Sequence, residues 1–268
     1  MRLPQLRFSL RSLLILTTLV ALTTWCIVRP IVKERQNTLL LEHLNQSWEK
    51  QLSTTHLTDL ELKVRYVTGK VRGELGASKS MNPTEFHSFV KSLNLDKNVD
   101  AIADFSTAFR SDLLEEQKAW TTYRLKIHGG GFRFQIDDDE LPPQSQYIRR
   151  STRVEPGDLR YVPQYLFTTE STSVLYKQDC VELTFDGKRN YRQLLVDPKN
   201  GFVFNSFFES KVKKNVGKKT HEVVIQRSPK EYHRGVIWPS VFVKGEFRDG
   251  TLFEYTAYVV EESISDGY

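Results

Sequence analysis

The sequence predicts an α+β fold: one N-terminal membrane-crossing helix, then a curved, half-barrel-like antiparallel β-meander packed on early helices. Three observations predict it. One uncharged apolar run stands near the N-terminus, helix-period stripes are confined to residues before 120, and after that point the apolar period changes to two with short turn signals between runs. Helices early and strands late give the α+β class. The 268 residues, 39% hydrophobic and 26% charged, exclude a collagen-like or low-complexity chain. A single long apolar run excludes a polytopic membrane protein.

Residues 12–28 form the apolar run, 17 residues without a charge. As a helix it spans roughly 25 Å at about 1.5 Å per residue, near the short limit for a hydrocarbon core. Leu10 extends it if Arg11 snorkels to the headgroups, Trp25 sits where an indole prefers the interface, and Arg29-Pro30 ends the run. A cleaved signal peptide with an apolar region over residues 13–22 is the alternative to a permanent anchor. It needs small residues before the cut, and Thr23-Thr24-Trp25-Cys26 is a poor site. Trp25 also breaks the small-residue rule for lipidation at Cys26. Residues 1–35 hold six basic side chains against one acidic, which accounts for the whole net charge of +5. The remainder carries 32 of each sign, so the basicity is read by a membrane, and no nucleic-acid partner is expected. The positive-inside bias is slight and favours a cytoplasmic N-terminus. The stretch from Arg7 to Leu14 resembles the start of many bacterial single-pass proteins with an exported C-terminal domain. The expected organisation is a cytoplasmic stub (1–11), a transmembrane signal anchor (12–28), a juxtamembrane helical stalk (29–55) and an antiparallel α+β domain (56–268). The expected location is the bacterial inner membrane, single-pass, with the C-terminal domain periplasmic.

Within the stalk, Leu41, Leu44, Trp48 and Leu52 recur at helical spacing, the pattern of a stripe that packs on the domain below. Residues 59–75 read as a long strand. Asn82-Pro83-Thr84-Glu85 opens a helix with a cap, a proline at the first helical position and a capping-box glutamate, followed by the apolar face Phe86, Phe89, Val90, Leu93. A further helix is expected within 99–117 on the stripe Ile102, Phe105, Phe109, Leu113. The first hairpin can be worked out in register. Joining residues 123–127 to 132–136 through His128-Gly129-Gly130-Gly131 pairs Ile127 with Phe132, Leu125 with Phe134 and Tyr123 with Ile136, and segregates apolar from charged positions. The meander continues through turns at Asp186-Gly187, Asp197-Pro198-Lys199-Asn200-Gly201, residues 214–218 and Asp249-Gly250. In the last strand Phe253, Tyr255, Ala257 and Val259 share a face. The sheet is therefore expected to be oily on one surface and wet on the other.

No catalytic constellation emerges, and an enzyme is not expected. The His-Gly-Gly-Gly string lacks the G-x-S-x-G elbow that an oxyanion hole serves, and the hairpin already explains its glycines. Ser88-Phe89-Val90-Lys91 matches S-x-x-K without its partner motifs. Asp137-Asp138-Asp139-Glu140 has no EF-hand spacing and reads as a solvated strand exit. Lys211, Lys213, Lys214, Lys218 and Lys219 form a basic hairpin tip that guards a strand edge. The six histidines are scattered without metal-ligand spacing, so no metal and no cofactor are expected. Cys26 lies in the apolar run, leaving Cys180 alone in the domain as a strand residue, buried and inert.

Two strings resemble a known family. Leu195-Val196-Asp197-Pro198-Lys199-Asn200-Gly201-Phe202 resembles the hydrophobic-D-P-x-x-G-aromatic hairpin of the outer-membrane lipoprotein-sorting (LolA/LolB-like) proteins, and Gly235-Val236-Ile237-Trp238-Pro239 resembles their later G-h-W-x-P strand. The resemblance covers about residues 180–262. It implies a curved antiparallel half-barrel wrapped over helices, with an apolar concave face that holds acyl chains. Its members shuttle as soluble proteins or are lipid-anchored at a processed cysteine. This chain keeps an apolar helix instead, and a tethered protein cannot ferry cargo across a compartment. The expected function is a membrane-anchored extracytoplasmic binding module for a lipid or lipoprotein acyl chain. The alternative is a structural or protein-interaction domain of the cell envelope with no ligand pocket. Candidate ligand-binding residues are Leu125, Phe134, Phe202, Phe204, Phe253 and Tyr255. The expected partners are the bilayer through residues 12–28, an apolar ligand and an envelope protein.

Overall fold

The computed structural model describes residues 10–55, 60–70, 81–102, 104, 122–128, 131–136, 153–154, 160–164, 166–210, 220–232 and 236–266. Helix α1 (Leu10–Thr23), a π-helical turn (Thr24–Val28) and α2 (Arg29–Thr55) follow without a break. The helix runs on through Arg29-Pro30, where the uncharged run ends. Pro30 has no N–H to give the carbonyl four residues back, and the preceding turn widens so that Arg29 N–H reaches Thr24 O, five residues back. In the exposed apolar half, the hydroxyls of Thr18, Thr23 and Thr24 donate to carbonyls four residues earlier, at 2.7–2.8 Å, so they present little polarity outward. By length and composition this helix is apolar enough to cross a membrane, and none of its most apolar stretch is buried in the protein.

Beyond the helix, eleven antiparallel strands among the described residues form one open sheet: β1 (Leu60–Lys70), β2 (Thr122–His128), β3 (Gly131–Ile136), β4 (Arg153–Val154), β5 (Thr172–Tyr176), β6 (Val181–Asp186), β7 (Asn190–Val196), β8 (Val203–Ser210), β9 (Thr220–Tyr232), β10 (Val236–Arg248) and β11 (Thr251–Asp266). The order is β4-β3-β2-β1-β11-β10-β9-β8-β7-β6-β5. Every neighbour is sequential except β1 with β11, which joins the two halves of the chain. The hairpin register derived from sequence is the observed one: Tyr123, Leu125 and Ile127 pair with Ile136, Phe134 and Phe132. The Asp249-Gly250 turn carries positive φ at both residues (54° and 79°), the geometry that suits a tight antiparallel hairpin.

Helix α3 (Pro83–Leu93) has the cap its sequence announces. Asn82 Oδ1 accepts from the Thr84 and Glu85 amides, and Glu85 Oε2 accepts from the Asn82 amide. Phe86 and Val90 drive into one face of the sheet, among Val223, Ile225, Val243, Tyr255 and Ala257. Phe86 lies so close to Gly245 that a Cβ there would stand 2.8 Å from its ring, and it meets Phe247 edge-on at 5.6 Å. Ile102, in a short 3₁₀ turn (Val99–Ile102), joins the same cluster. The rest of the helix expected there, with Phe105, Phe109 and Leu113, lies outside the described residues.

The central strands are not oily on one side alone. Val224, Phe242, Tyr258 and Val260 turn to the opposite face and are buried with Leu62, Val64, Tyr232 and Trp238. The runs Val223-Val224-Ile225, Val241-Phe242-Val243 and Ala257-Tyr258-Val259-Val260 are continuous because both of their faces are covered. Two prolines in these strands, Pro229 and Pro239, oppose each other in the stretch where β9 and β10 have run past their other partners, so no missing donor interrupts a central ladder.

Helix α2 covers this second face over β6–β8, burying Leu41, Leu44 and Trp48 against Val181, Leu183, Leu194, Val196 and Val203. Each such side chain contributes roughly 1.5–3 kcal/mol. The helix is then tied to the β7–β8 turn. Ser47 Oγ donates to Asn200 O (2.6 Å), Trp48 Nε1 to Gly201 O (2.6 Å) and Gln51 Nε2 to Asn200 O (3.0 Å). Residues 160–164 and 166–168 lie beside it. Asn45 exchanges two hydrogen bonds with the Phe167 backbone, and the Gln226 side chain does the same with Tyr161. Arg160 is wholly buried, donates to Gln51 Oε1 (2.6 Å) and lies over the Trp238 ring at 5.6 Å. Burial pulls its pKa down to about 10, with Tyr258 working in the opposite direction. Cys180, expected as a buried strand residue, sits half-buried in the turn before β6, where its carbonyl accepts from the Lys177 amide.

Gly201 has φ +74°, and a Cβ there would stand 2.9 Å from Ser47 Oγ and 3.1 Å from Trp48 Nε1. Gly201→Ala is therefore expected to lower stability by about 1–3 kcal/mol, from backbone strain plus loss of the helix tie. Gly250→Ala, at a similar φ but with nothing within 4 Å, isolates the strain and should cost only about 1 kcal/mol. Urea midpoints of the full chain in detergent micelles, followed by tryptophan fluorescence, check both. Equal losses would mean that the turn–helix contact contributes nothing.

Candidate functional site

Helix α3 covers β9–β11 but stops short of the β5 side of the sheet. What remains between them is a cleft of about 290 Å³. Pro83, Thr84 and His87 of α3 form one wall. Leu195, Phe207 and Val223 form an apolar floor drawn from β7, β8 and β9, and Lys177, Glu182, Gln193 and Asn205 make a polar rim. The register explains the grouping. Gln193, Phe207 and Val223 are successive cross-strand partners, as are Glu182, Leu195 and Asn205, so two adjacent rows of one face line the cleft.

The rim is internally satisfied. Lys177 Nζ pairs with Glu182 Oε2, while Gln193 Nε2 donates to Glu182 Oε1 at 2.8 Å. The Lys177 hydrogen bond holds the Glu182 carboxyl below its ordinary pKa against partial burial, and the same bond raises Lys177. Arg227, on the same face of β9 as Val223, donates to Asn205 Oδ1 (3.0 Å) and to Phe204 O (3.1 Å). Burial lowers the His87 pKa first, and the positive charges of Arg227 and Lys91 lower it further. At neutral pH the imidazole is neutral, Lys177 and Glu182 cancel, and the cleft faces its occupant with an apolar floor and no net charge at its rim. That arrangement suits an apolar chain with a polar end. Among the described residues no three His, Cys, Asp or Glu side chains gather as a metal site would require.

The six residues singled out from sequence do not converge on this cleft. Leu125 and Phe134 are register partners at the far end of the sheet, described at the level of the backbone. Phe202 is buried beside Phe204, edge-on at 5.3 Å, at the start of β8. Phe253 is half-buried with the Arg248 guanidinium 3.5 Å above its ring. Tyr255 lies in the row of Phe207 and Val223, two strands further on and buried in the cluster under Phe86. Sequence reading missed Leu195, Phe207, Val223 and His87. The available signal was the unbroken runs Leu194-Leu195-Val196 and Phe207-Phe208, which an alternating strand with one wet face would not contain. The acidic run Asp137–Glu140 and the lysine tip at 211–219 lie outside the described residues.

No family model matches the chain, and no curated protein matches it. Among solved structures it is similar to the crystal structure of a domain assigned to an outer membrane lipoprotein-sorting protein of Vibrio parahaemolyticus. The identity is 12%, the match covers 55% of this chain and 79% of that one, and the TM-score is 0.28.

Because His87 is more acidic folded than unfolded, the unfolded chain takes up the proton first. Its contribution is complete above about pH 6.5, is lost as pH falls from there through the lowered folded pKa, and is constant below it. His87→Gln is expected to reduce the fall in stability between pH 7 and pH 5 relative to the native chain. Paired urea titrations at the two pH values check this, and identical falls would show that His87 titrates freely.

Proposed function

We propose that the chain is a membrane-anchored binding module of the bacterial envelope, with its sheet domain on the extracytoplasmic side, and that the cleft between α3 and β6–β8 receives the acyl portion of a lipid or lipoprotein. The observation that carries this reading is the charge-balanced cleft with the Leu195, Phe207 and Val223 floor, on a domain continuous with an exposed apolar helix. A cleft of about 290 Å³ is at the small end for ligand pockets, so it would hold one end of a chain rather than a whole lipid. The role is binding rather than catalysis, since the titratable groups on the rim are spent on each other. One observation favours a ligand-free scaffold as the second reading: under α3 the apolar rows are filled by the protein's own Phe86, Val90 and Ile102.

The full chain in lipid nanodiscs containing a diazirine-bearing phospholipid tests the proposal. Illumination is expected to label peptides spanning 193–207 and 83–90, and Leu195→Glu, which places a charge on the floor, should reduce that labelling about tenfold, or roughly 1.4 kcal/mol of binding. Labelling confined to residues 10–32 in the native chain would favour the scaffold. A reporter active only outside the cytoplasm, fused after Tyr268, should be active, and a cytoplasmic readout would remove the exported-module reading.

A further inference from the structure

We propose that the free edge strand β5 rests on the lipid headgroup layer, with Leu175 and Tyr176 as its points of contact. This inference rests on the reading of α1 as membrane-crossing. Among the described residues β5 is the last strand of the sheet, and no described strand pairs with its outer side. The contacts along α2 give its direction across the strands. Tyr176 OH at the end of β5 donates to Asn37 Oδ1, Ser47 and Trp48 meet the β7–β8 turn, and Gln51 meets Arg160, which lies over Trp238 of β10. From Asn37 to Trp48 the helix rises about 16 Å, and β5 lies roughly 12 Å, two and a half strand spacings, from the β7–β8 connection. The two lengths are close, so α2 crosses the strands steeply, and following it toward its N-terminus leads off the sheet over β5.

The same helix fixes the height of that edge. The apolar run ends at Val28, and Ile31 and Val32 beyond it are also exposed. Asn37 stands five residues past Val32 and nine past Val28, about 8 to 14 Å along the axis. The headgroup layer adds about 5–8 Å to each side of the hydrocarbon. β5 thus meets the top of that layer. The side chains there suit the position. Among the described residues, the exposed large apolar side chains beyond Val32 are Leu39 (58%), Leu166 (80%), Leu175 (57%) and Tyr176 (48%). Leu175 and Tyr176 flank the edge on its two faces, Leu39 is two residues from Asn37, and Leu166 lies in the segment that leads into β5. A bare strand edge bearing apolar residues invites pairing with another chain, and a lipid surface covers it. Tyrosine is enriched at that depth for its apolar ring and polar tip.

The full chain carrying Cys26→Ser and Cys180→Ser, reconstituted in phosphatidylcholine–phosphatidylglycerol vesicles, is spin-labelled at Leu19→Cys, Leu175→Cys, Gln178→Cys or Lys230→Cys. Power saturation with oxygen and with a water-soluble nickel complex reads the depth of each. Leu19 should be reachable by oxygen only. Nickel accessibility at 175 and 178 should be lower than at 230 by about threefold or more, and a seven-residue helical insertion after Arg35, which lifts the domain about 10 Å, should restore it. Full nickel accessibility at 175 with Leu19 immersed overturns the proposal and leaves the anchor intact. Leu19 in water overturns the anchor reading. Protection at 175 that survives the insertion, with dipolar broadening between labels, assigns the edge to a second copy and also overturns the proposal.

Discussion

Three hydrogen bonds from α2 to the β7–β8 turn make the apolar N-terminal helix and the domain one body. The turn is built to receive them. Asp197 Oδ1 accepts from the Lys199 amide and Asn200 Oδ1 from the Phe202 amide, so the turn's own side chains satisfy its donors. Gly201, at positive φ, lets the chain turn back without a Cβ striking Ser47. The carbonyls of Asn200 and Gly201 are left pointing at the helix, where Ser47, Trp48 and Gln51 supply donors and Leu41 and Leu44 supply apolar contact. Unpaired in a buried position, each such carbonyl would cost about 1–3 kcal/mol. The donors on α2 and the acceptors on the turn are therefore each other's condition, and one continuous helix runs from the apolar stretch to the residues that meet the turn.

Burial on both faces follows from that tie. With α2 and residues 160–164 and 166–168 laid over one face, α3 must seal the other, and the long strands β9–β11 become interior. Two polar side chains trapped beneath the α2 side, Gln226 and Arg160, are paired across elements. Gln226 exchanges two bonds with Tyr161 and gives a third to Val203 O, and Arg160 joins α2 to the β9–β10 ribbon through Gln51 and Trp238. The lowered pKa of Arg160 reflects the cost of burying its charge, so this contact is weak as a source of stability. It does fix how the helix lies across the strands, since shifting α2 by one turn would strand Gln51 and Arg160 together.

Local pattern carried as much of this architecture as local physics decides. The α3 cap was legible because all its partners lie within four residues, and the β2–β3 register because only one pairing separates apolar from charged positions. The stripe on α2 announced a packed face, though not the surface it would meet. The pairing of β1 with β11 joins residues nearly two hundred positions apart, and neither strand's periodicity names the other. The continuation of the helix through Pro30 needed a π turn that no spacing rule reveals. The cleft was illegible for a similar reason. Its floor takes one residue each from β7, β8 and β9, its wall comes from α3, and each of these residues alone reads as ordinary core or surface. The aromatics chosen from the pattern were the strongest apolar signals, and such residues tend to fill a core rather than leave room beside it.

A rigid helix changes what a cleft with the proposed role must do. A carrier on a flexible tether spends orientational freedom each time it meets a bilayer, whereas here that freedom is given up once, on folding. The cleft lies on β6 to β9, beginning one strand in from the β5 edge, with Lys177 and Glu182 at its near rim. Strand spacings of about 4.8 Å put its floor, on β7, β8 and β9, about 10–19 Å beyond β5. An acyl chain could span that distance while its other end stayed in the bilayer, so the occupant need not leave the membrane in order to be held. The same rigidity bars the domain from carrying cargo away. A rigidly mounted cleft at this height is consistent with holding or sensing a lipid in place, and it is poorly suited to transport.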